Sequence, residues 1–100
     1  MDRPALADAL KNKDVVLRAF IGADGRLASI PTKLTKRLVV LDHIAQDFAI
    51  GQQYPEALVN TMLRRYHHDH AALRRYLVEN EFLERRDGVY WRAGGTVTGG

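Results

Sequence analysis

A chain of 100 residues, of which 46% are hydrophobic and 27% charged, has the composition of one folded domain with a small core. A core of this size leaves little room for a deep substrate pocket, and the lack of cysteine excludes disulfides and thiolate zinc sites, so we expect a non-enzymatic protein without metal or cofactor. Fifteen Lys and Arg against twelve Asp and Glu give a net charge of +3, which is compatible with a polyanionic partner.

The N-terminal residues and the hydropathy pattern both bear on the location of the protein. The opening residues MDRPALADAL lack the basic start and apolar segment of a secretory signal, and no apolar run is long enough to cross a bilayer. We therefore expect a cytoplasmic protein without membrane contact.

The first third of the chain predicts a helix followed by a turn and a strand. Apolar residues between Leu6 and Phe20 recur at helical spacing, so residues 1–22 are predicted to form an N-terminal helix, interrupted near the segment KNKD. Two glycines and an Asp-Gly dipeptide then predict a turn, and the alternation in RLASI predicts one short strand within residues 23–31.

Residues 32–80 have the hydrophobic spacing of three core helices. Apolar residues recur every three or four positions from Thr32 to Ile50, and Gly51 is a natural end for that helix. Pro55 suits the first turn of a second helix, where the negative charge of Glu56 is favourable near the positive end of the helix dipole.

The third core helix is predicted over residues 69–80. Asp69 is a good N-cap, because its carboxylate accepts a backbone N–H group of the first turn. Leu73 and Leu77 then face the core. The opposite face of this helix carries His70, Ala71, Arg74, Arg75 and Val78.

The C-terminal region predicts a β-hairpin over residues 82–92. The dipeptide Asp87-Gly88 between two strand-like runs is a strong hairpin signal, and a two-residue turn at this point pairs Arg86 with Val89. The Gly-rich segment 94–100 has no burial pattern and is predicted to be a flexible tail.

Together these elements predict an α+β domain, mostly helical, over residues 1–93. Three consecutive helices followed by a hairpin are the order of a winged helix-turn-helix, here with an extra N-terminal helix and the hairpin as wing. In such domains the second helix of the helix-turn-helix enters the major groove of DNA and flanking groups hold the phosphates. Duplex DNA is therefore the expected partner.

The candidate DNA contacts are cations on the third core helix and on the wing. Arg74 and Arg75 would contact bases or phosphates, because a guanidinium donates two parallel hydrogen bonds to guanine or to phosphate, and His70 would assist. Arg85 and Arg86 would hold the DNA backbone. The alternative is that the arginines only keep the surface solvated and pair with the acids of the same region, Glu79, Glu81, Glu84 and Asp87.

A second group of cations lies at the predicted start of the first core helix. Lys33, Lys36 and Arg37 occupy the positive end of a helix dipole, where an anion is preferred, so a bound phosphate would account for them. The alternative is a solvated helix start. Arg64 is a further candidate for contact with the DNA backbone.

The segment His67–His70 consists of residue types that bind metal ions. Adjacent side chains point in different directions, and His43 is the sole further histidine, so turn and capping roles are favoured over a metal site. Tyr90 and Trp91 are candidates for stacking on a base, although core packing of one of them is the stronger expectation.

Several short motifs occur together between residues 16 and 91. They are DGRL at 24–27, Ile30-Pro31, Lys33 with Lys36-Arg37, Tyr54 with Glu56, Val59-Asn60, Asp69, Leu73-Arg74-Arg75, Gly88 and Tyr90. In this set the sequence resembles a bacterial family of domains of unknown function, number two thousand and eighty-seven. The resemblance implies a domain that occurs alone or C-terminal to ArsR-like helix-turn-helix regulators, and hence a role in transcription.

We therefore expect a regulator of transcription that binds duplex DNA through the helix over 69–80 and the hairpin over 82–92. Two copies are expected on a palindromic site, with the N-terminal helix as the dimer element. If an ArsR-like domain reads the DNA in the relatives, the alternative is a non-enzymatic module for protein interaction, dimerisation or effector sensing, without DNA binding.

Overall fold

The computed structural model describes residues 6–97 and divides them between helices and one small antiparallel sheet, so the α+β class is confirmed. In chain order the elements are α1 (Leu6–Ala9), a 3₁₀ turn (Leu10–Asn12), α2 (Lys13–Phe20), α3 (Leu34–Ala45), β1 (Gln53–Pro55), α4 (Glu56–Arg64), α5 (His70–Glu79), β2 (Leu83–Arg86) and β3 (Val89–Arg92). None of the helices within residues 6–97 combines the length and the apolar character needed to cross a membrane.

The N-terminal helix is interrupted where the sequence predicts it. The 3₁₀ turn between α1 and α2 lies at the KNKD segment, and both helices pack on α3. The part of the predicted helix over residues 1–5 lies outside the described residues.

The short strand predicted within residues 23–31 does not form, and a single bridge between Ile21 and Leu27 takes its place. The backbone groups there have other partners, because Gly22 N–H donates to the Arg26 carbonyl at 2.8 Å and Leu27 N–H donates to the Tyr66 carbonyl at 2.8 Å. These bonds close a tight turn and tie it to the end of α4, which leaves no ladder for a strand.

The helix predicted to reach Ile50 ends at Ala45. Phe48 N–H donates to the Ala45 carbonyl at 3.0 Å, so the chain continues as a tight turn and still directs the Phe48 ring into the core, where it is 1% exposed. The apolar spacing therefore extends past the helix. Gly51 then adopts a φ of +84°, a left-handed conformation that favours glycine.

Strand β1 was not predicted from the sequence. It pairs antiparallel with β3, with Tyr54 opposite Tyr90 and Pro55 opposite Val89, and the sheet order is β1-β3-β2. Three residues ending in proline carry little strand signal, but proline is tolerated on an edge strand because its missing N–H faces away from the ladder.

The hairpin has the register that the Asp-Gly dipeptide predicts. Arg86 lies opposite Val89, and the next pair along the ladder is Arg85 with Tyr90. Asp87 and Gly88 have φ values of +53° and +78°, the positive values that a two-residue turn of type I′ requires at both central positions.

The core lies between α3, α4, α5 and the inner face of the sheet. Tyr90 is the largest of its fully buried side chains, and the rings of Phe48 and Tyr54 meet edge to face at 5.0 Å. Leu73 and Leu77 of α5 are both 0% exposed, as their predicted inward orientation requires.

The start of α5 confirms the predicted cap. Asp69 Oδ1 accepts a hydrogen bond from the Ala72 N–H at 3.2 Å. Replacement of Asp69 by Ala is expected to lower the free energy of unfolding by about 0.5–2 kcal/mol, because one N–H group of the first turn loses its acceptor. Urea denaturation measures the change. Asp69→Asn is the control, since its amide oxygen still accepts the bond, and an equal loss in both variants would contradict a capping role.

The chain after β3 is bonded to α3. Arg92 Nη1 donates to the carbonyls of Ala45 and Phe48 at 2.9 and 3.1 Å, and Nη2 donates to the carbonyl of Thr96 at 2.6 Å. Asp42, which is 3% exposed, accepts from the Thr96 N–H at 2.6 Å and from its hydroxyl at 2.9 Å. The first part of the segment predicted to be a flexible tail is thus held in place, and residues 98–100 lie outside the described residues.

Candidate nucleic-acid interface

A groove of about 400 Å³ lies between α5 and the hairpin. Its walls are formed by Ala71, Arg74, Arg75, Val78, Glu79, Arg85 and Tyr90. The four residues from Ala71 to Val78 are spaced three and four apart, which places them on one face of α5. Arg85 and Tyr90 face the same side of the sheet because they are paired across the hairpin. Helical spacing and strand register thus bring three of the predicted DNA-binding arginines together.

Arg74 is tied to α4. Its Nη1 donates to Asn60 Oδ1, and its Nε lies 3.9 Å from Glu56 Oε1. The side chain is 22% exposed, so the guanidinium is held between the two helices. In this arrangement Arg74 fixes how α5 lies against α4 and presents only part of its fork to the groove.

Arg75 is the most accessible of the α5 cations. Its side chain is 60% exposed, and its Nε lies 3.8 Å from Glu79 Oε1, one helical turn further along. Its guanidinium carbon is also 5.5 Å from the centre of the Tyr76 ring. Exposed pairs of this kind are weak, so the guanidinium is able to exchange Glu79 for another anion.

Glu56 joins the two sides of the groove. Its carboxylate accepts a hydrogen bond from the Tyr90 hydroxyl at 2.7 Å. That bond, together with the charges of Arg74 and Arg85, lowers the pKa of Glu56. The pKa of Arg85 is raised, chiefly by a hydrogen bond with Tyr90 and also by the charge of Glu56. These four side chains form one connected polar cluster.

Glu56 and Tyr90 were not singled out as site residues in the sequence. The sequence predicts for Glu56 only a favourable charge at a helix start, and for Tyr90 only core packing or stacking on a base. The available signal was the motif set behind the family resemblance, which contains both residues together with Leu73-Arg74-Arg75.

Arg86 lies at the tip of the hairpin and outside the groove. Its side chain is 84% exposed, and its Nε is 4.0 Å from Asp87 Oδ2. The opposite face of the sheet carries Trp91, whose indole N–H donates to Glu84 Oε2 at 3.0 Å. Of the two adjacent aromatics, Tyr90 is therefore the one packed in the core, and Trp91 remains half-buried at the surface.

The cations at the start of α3 are not brought to one point. Arg37 Nη1 donates to the carbonyls of Pro31 and Thr32, and its guanidinium lies 4.4 Å from the centre of the Tyr76 ring. Lys36 instead lies beside a depression between α2 and α3, and Lys33 is exposed. Arg37 thus connects the loop before α3 to α5, which places its charge beside α5.

Arg64 and the histidines lie around the turn between α4 and α5. Arg64 is exposed, and its carbonyl accepts from Arg26 Nη1 at 2.9 Å. The rings of His67 and His68 stack at 4.3 Å, and His67 Nδ1 accepts from the Asp69 N–H at 3.0 Å. Burial, followed by the charge of His68, lowers the pKa of His67.

His70, the histidine at the start of α5, has its Nδ1 3.2 Å from the His68 carbonyl. No group of three or more His, Cys, Asp or Glu side chains within residues 6–97 is arranged to hold a metal ion. The described contacts of these histidines are those of a turn that leads into a helix.

Comparison with known proteins gives one family. A model described as "Uncharacterized protein conserved in bacteria (DUF2087)" matches residues 26–92. The match runs from the turn before α3 to the end of β3, so it contains every wall of the groove. No curated protein and no solved structure matches the chain.

Proposed function

The chain belongs to the bacterial family DUF2087, and we propose that this member is a winged helix-turn-helix protein that binds duplex DNA and regulates transcription. The order of elements supports the winged-helix assignment. α3 is the first helix, α4 and α5 form the helix-turn-helix, and β2 and β3 form the wing, with β1 completing a sheet of order β1-β3-β2. In this arrangement α5 is the recognition helix.

The observation that carries DNA binding is the convergence of Arg74, Arg75 and Arg85 on one groove. α5 has ten residues and a length of about 15 Å, which suits the major groove of B-DNA. The wing then lies along the flanking backbone. Cations from a helix and from a hairpin on one side of a domain are able to contact bases and phosphates of one duplex at the same time.

The arginines have different roles in this complex. Arg75 is exposed enough to reach a base edge, and Arg85 and the exposed Arg86 hold phosphates on the wing side. His70 approaches the backbone at the start of α5. Arg74 positions α5 through its hydrogen bond to Asn60. Lys33, Lys36, Arg37 and Arg64 add longer-range attraction for the polyanion.

A DNA-binding assay with a matched charge control tests this function. Fluorescence anisotropy of random-sequence duplex DNA across a salt series is measured for the wild type and for Arg75→Ala/Arg85→Ala. The double variant is expected to bind about 10–100-fold more weakly at low salt, because each lost phosphate contact removes about 0.9 from the slope of log affinity against log salt.

The control variant is Lys13→Ala/Arg18→Ala, which removes the same charge from exposed positions on α2. Its binding is expected to stay within about twofold of the wild type. An equal loss in both variants would mean that net charge alone attracts DNA and that the groove is not the interface. A folded wild type that does not bind at low salt would contradict DNA binding and favour the interaction or effector-sensing module.

A further inference from the structure

The Glu56 carboxylate has two donor side chains beside it, those of Tyr90 and Arg74. It accepts from the Tyr90 hydroxyl at 2.7 Å and lies 3.9 Å from Arg74 Nε. Arg85 lines the same groove as Arg74 and is paired with Tyr90 across the hairpin, and its charge also lowers the pKa of Glu56. One guanidinium and one phenol therefore contact the Glu56 carboxylate, and a second guanidinium lies on the wall of the same groove.

The same donors suit a phosphate. Guanidinium groups bind phosphate oxygens in the geometry with which they bind carboxylates, and a phenolic hydroxyl donates equally well to either. A phosphate in place of the carboxylate would keep each of these interactions.

Glu56 is free to leave while the cations stay. Its side chain is 45% exposed, so it forms no buried ion pair, and water replaces its bonds when it turns outward. Arg74 is retained by Asn60 and is 22% exposed, so its guanidinium does not need Glu56 to keep its place. The carboxylate is thus the mobile member of the cluster.

We propose that Arg74, Arg85 and Tyr90 form a phosphate subsite that the Glu56 carboxylate occupies in the free protein and that a DNA phosphodiester enters when the duplex binds. As a DNA contact the subsite depends on the proposed binding of DNA in the groove. Glu56 acts there as an internal competitor. Its negative charge weakens the binding of anions in general. Only a ligand that makes enough further contacts with the groove displaces the carboxylate.

The test removes the negative charge of Glu56 while it keeps the size and shape of the side chain. Glu56→Gln keeps an oxygen that accepts from Tyr90, and we expect it to bind duplex DNA about 3–10-fold more tightly than the wild type at low salt, with a steeper salt dependence. Asp8→Asn is the matched control. It makes the same change in net charge on α1, where Asp8 pairs with Lys11 at 3.2 Å and is 69% exposed, and its affinity is expected to stay within about twofold.

Equal gains in the two variants would overturn the subsite, because net charge would then explain them. Weaker binding by Glu56→Gln would also overturn it, because Glu56 would then align the arginines for DNA rather than compete with it. If the wild type binds DNA and Glu56→Gln matches Asp8→Asn, the subsite fails while the proposed function stands.

A second measurement needs no variant and no DNA. The wild-type protein is titrated with inorganic phosphate while the arginine Nε–Hε signals are followed by NMR. The signals of Arg74 and Arg85 are expected to shift before those of Arg18 and Arg86. If the protein shows these shifts but does not bind DNA, the shifts support the phosphate subsite and the lack of binding contradicts the proposed function. Shifts that are uniform over all arginines would overturn the subsite.

Discussion

Replacement of Arg92 by Met is expected to lower the free energy of unfolding by roughly 2–4 kcal/mol, since a hydrogen bond from a charged donor contributes about 1.5–3 kcal/mol and water replaces part of the loss. Arg92 donates to the carbonyl of Ala45 at the end of α3, to that of Phe48 in the turn that follows, and to that of Thr96. One side chain therefore joins β3, the end of α3 and the C-terminal segment. Urea denaturation followed by circular dichroism measures the change.

Arg86→Met is the control for this prediction. It removes the same charge from the same hairpin, but the Arg86 side chain is 84% exposed and its Nε lies 4.0 Å from the carboxylate of its neighbour Asp87. Its effect is expected to stay within about 0.5 kcal/mol. If both variants lose the same small amount, the bonds of Arg92 to α3 contribute nothing to stability.

Truncation of Leu73 to Ala is expected to lower the free energy of unfolding by about 2–5 kcal/mol, the range found when a buried leucine leaves a cavity. Leu73 is 0% exposed, on a helix that packs against both α3 and α4. The loss is expected to appear as a lower midpoint of urea denaturation at an unchanged slope. Because α5 carries one wall of the groove, this packing also determines where Arg74 and Arg75 point.

Leu58→Ala is the matched control on the neighbouring helix. The chemical change is the same, but Leu58 is 45% exposed, so the expected loss is below about 1 kcal/mol. The periodicity of the sequence does not predict this difference in burial, because both leucines occur among apolar neighbours at helical spacing. Equal losses in the two variants would mean that α5 is not seated on the core as described.

The local elements of this fold were predictable because a few neighbouring residues determine them. Asp69 caps α5 through a residue three positions further on, and the Asp-Gly dipeptide sets the hairpin register through its own positive φ values. The placement of Arg75 beside Arg85 follows from the same local rules together with the packing of the hairpin on α5. Helical spacing and strand register thus predict which cations face the candidate groove.

Contacts between residues that lie far apart in the sequence were not predictable from the same rules. Tyr90 meets Glu56 from 34 positions away, and Arg92 meets Ala45 from 47 positions away. β1 exists because β3 lies beside it, since three residues ending in proline do not form a strand by themselves. Arg74 has the spacing predicted for a DNA contact, yet its hydrogen bond to Asn60 of another helix holds its guanidinium in place.

The sequence alone determined the α+β class, the N-cap of α5, the hairpin turn and the cationic character of the α5 face, since these depend on composition and on interactions between near neighbours. Only the tertiary structure decided which arginines are tied to acids and carbonyls, that the Glu56 carboxylate lies against Arg74 and Tyr90, and that Thr96 is held by Asp42. The physical reason is that a charged side chain pairs with the groups that the packed core places near it. Which groups these are depends on how all the helices and strands pack together.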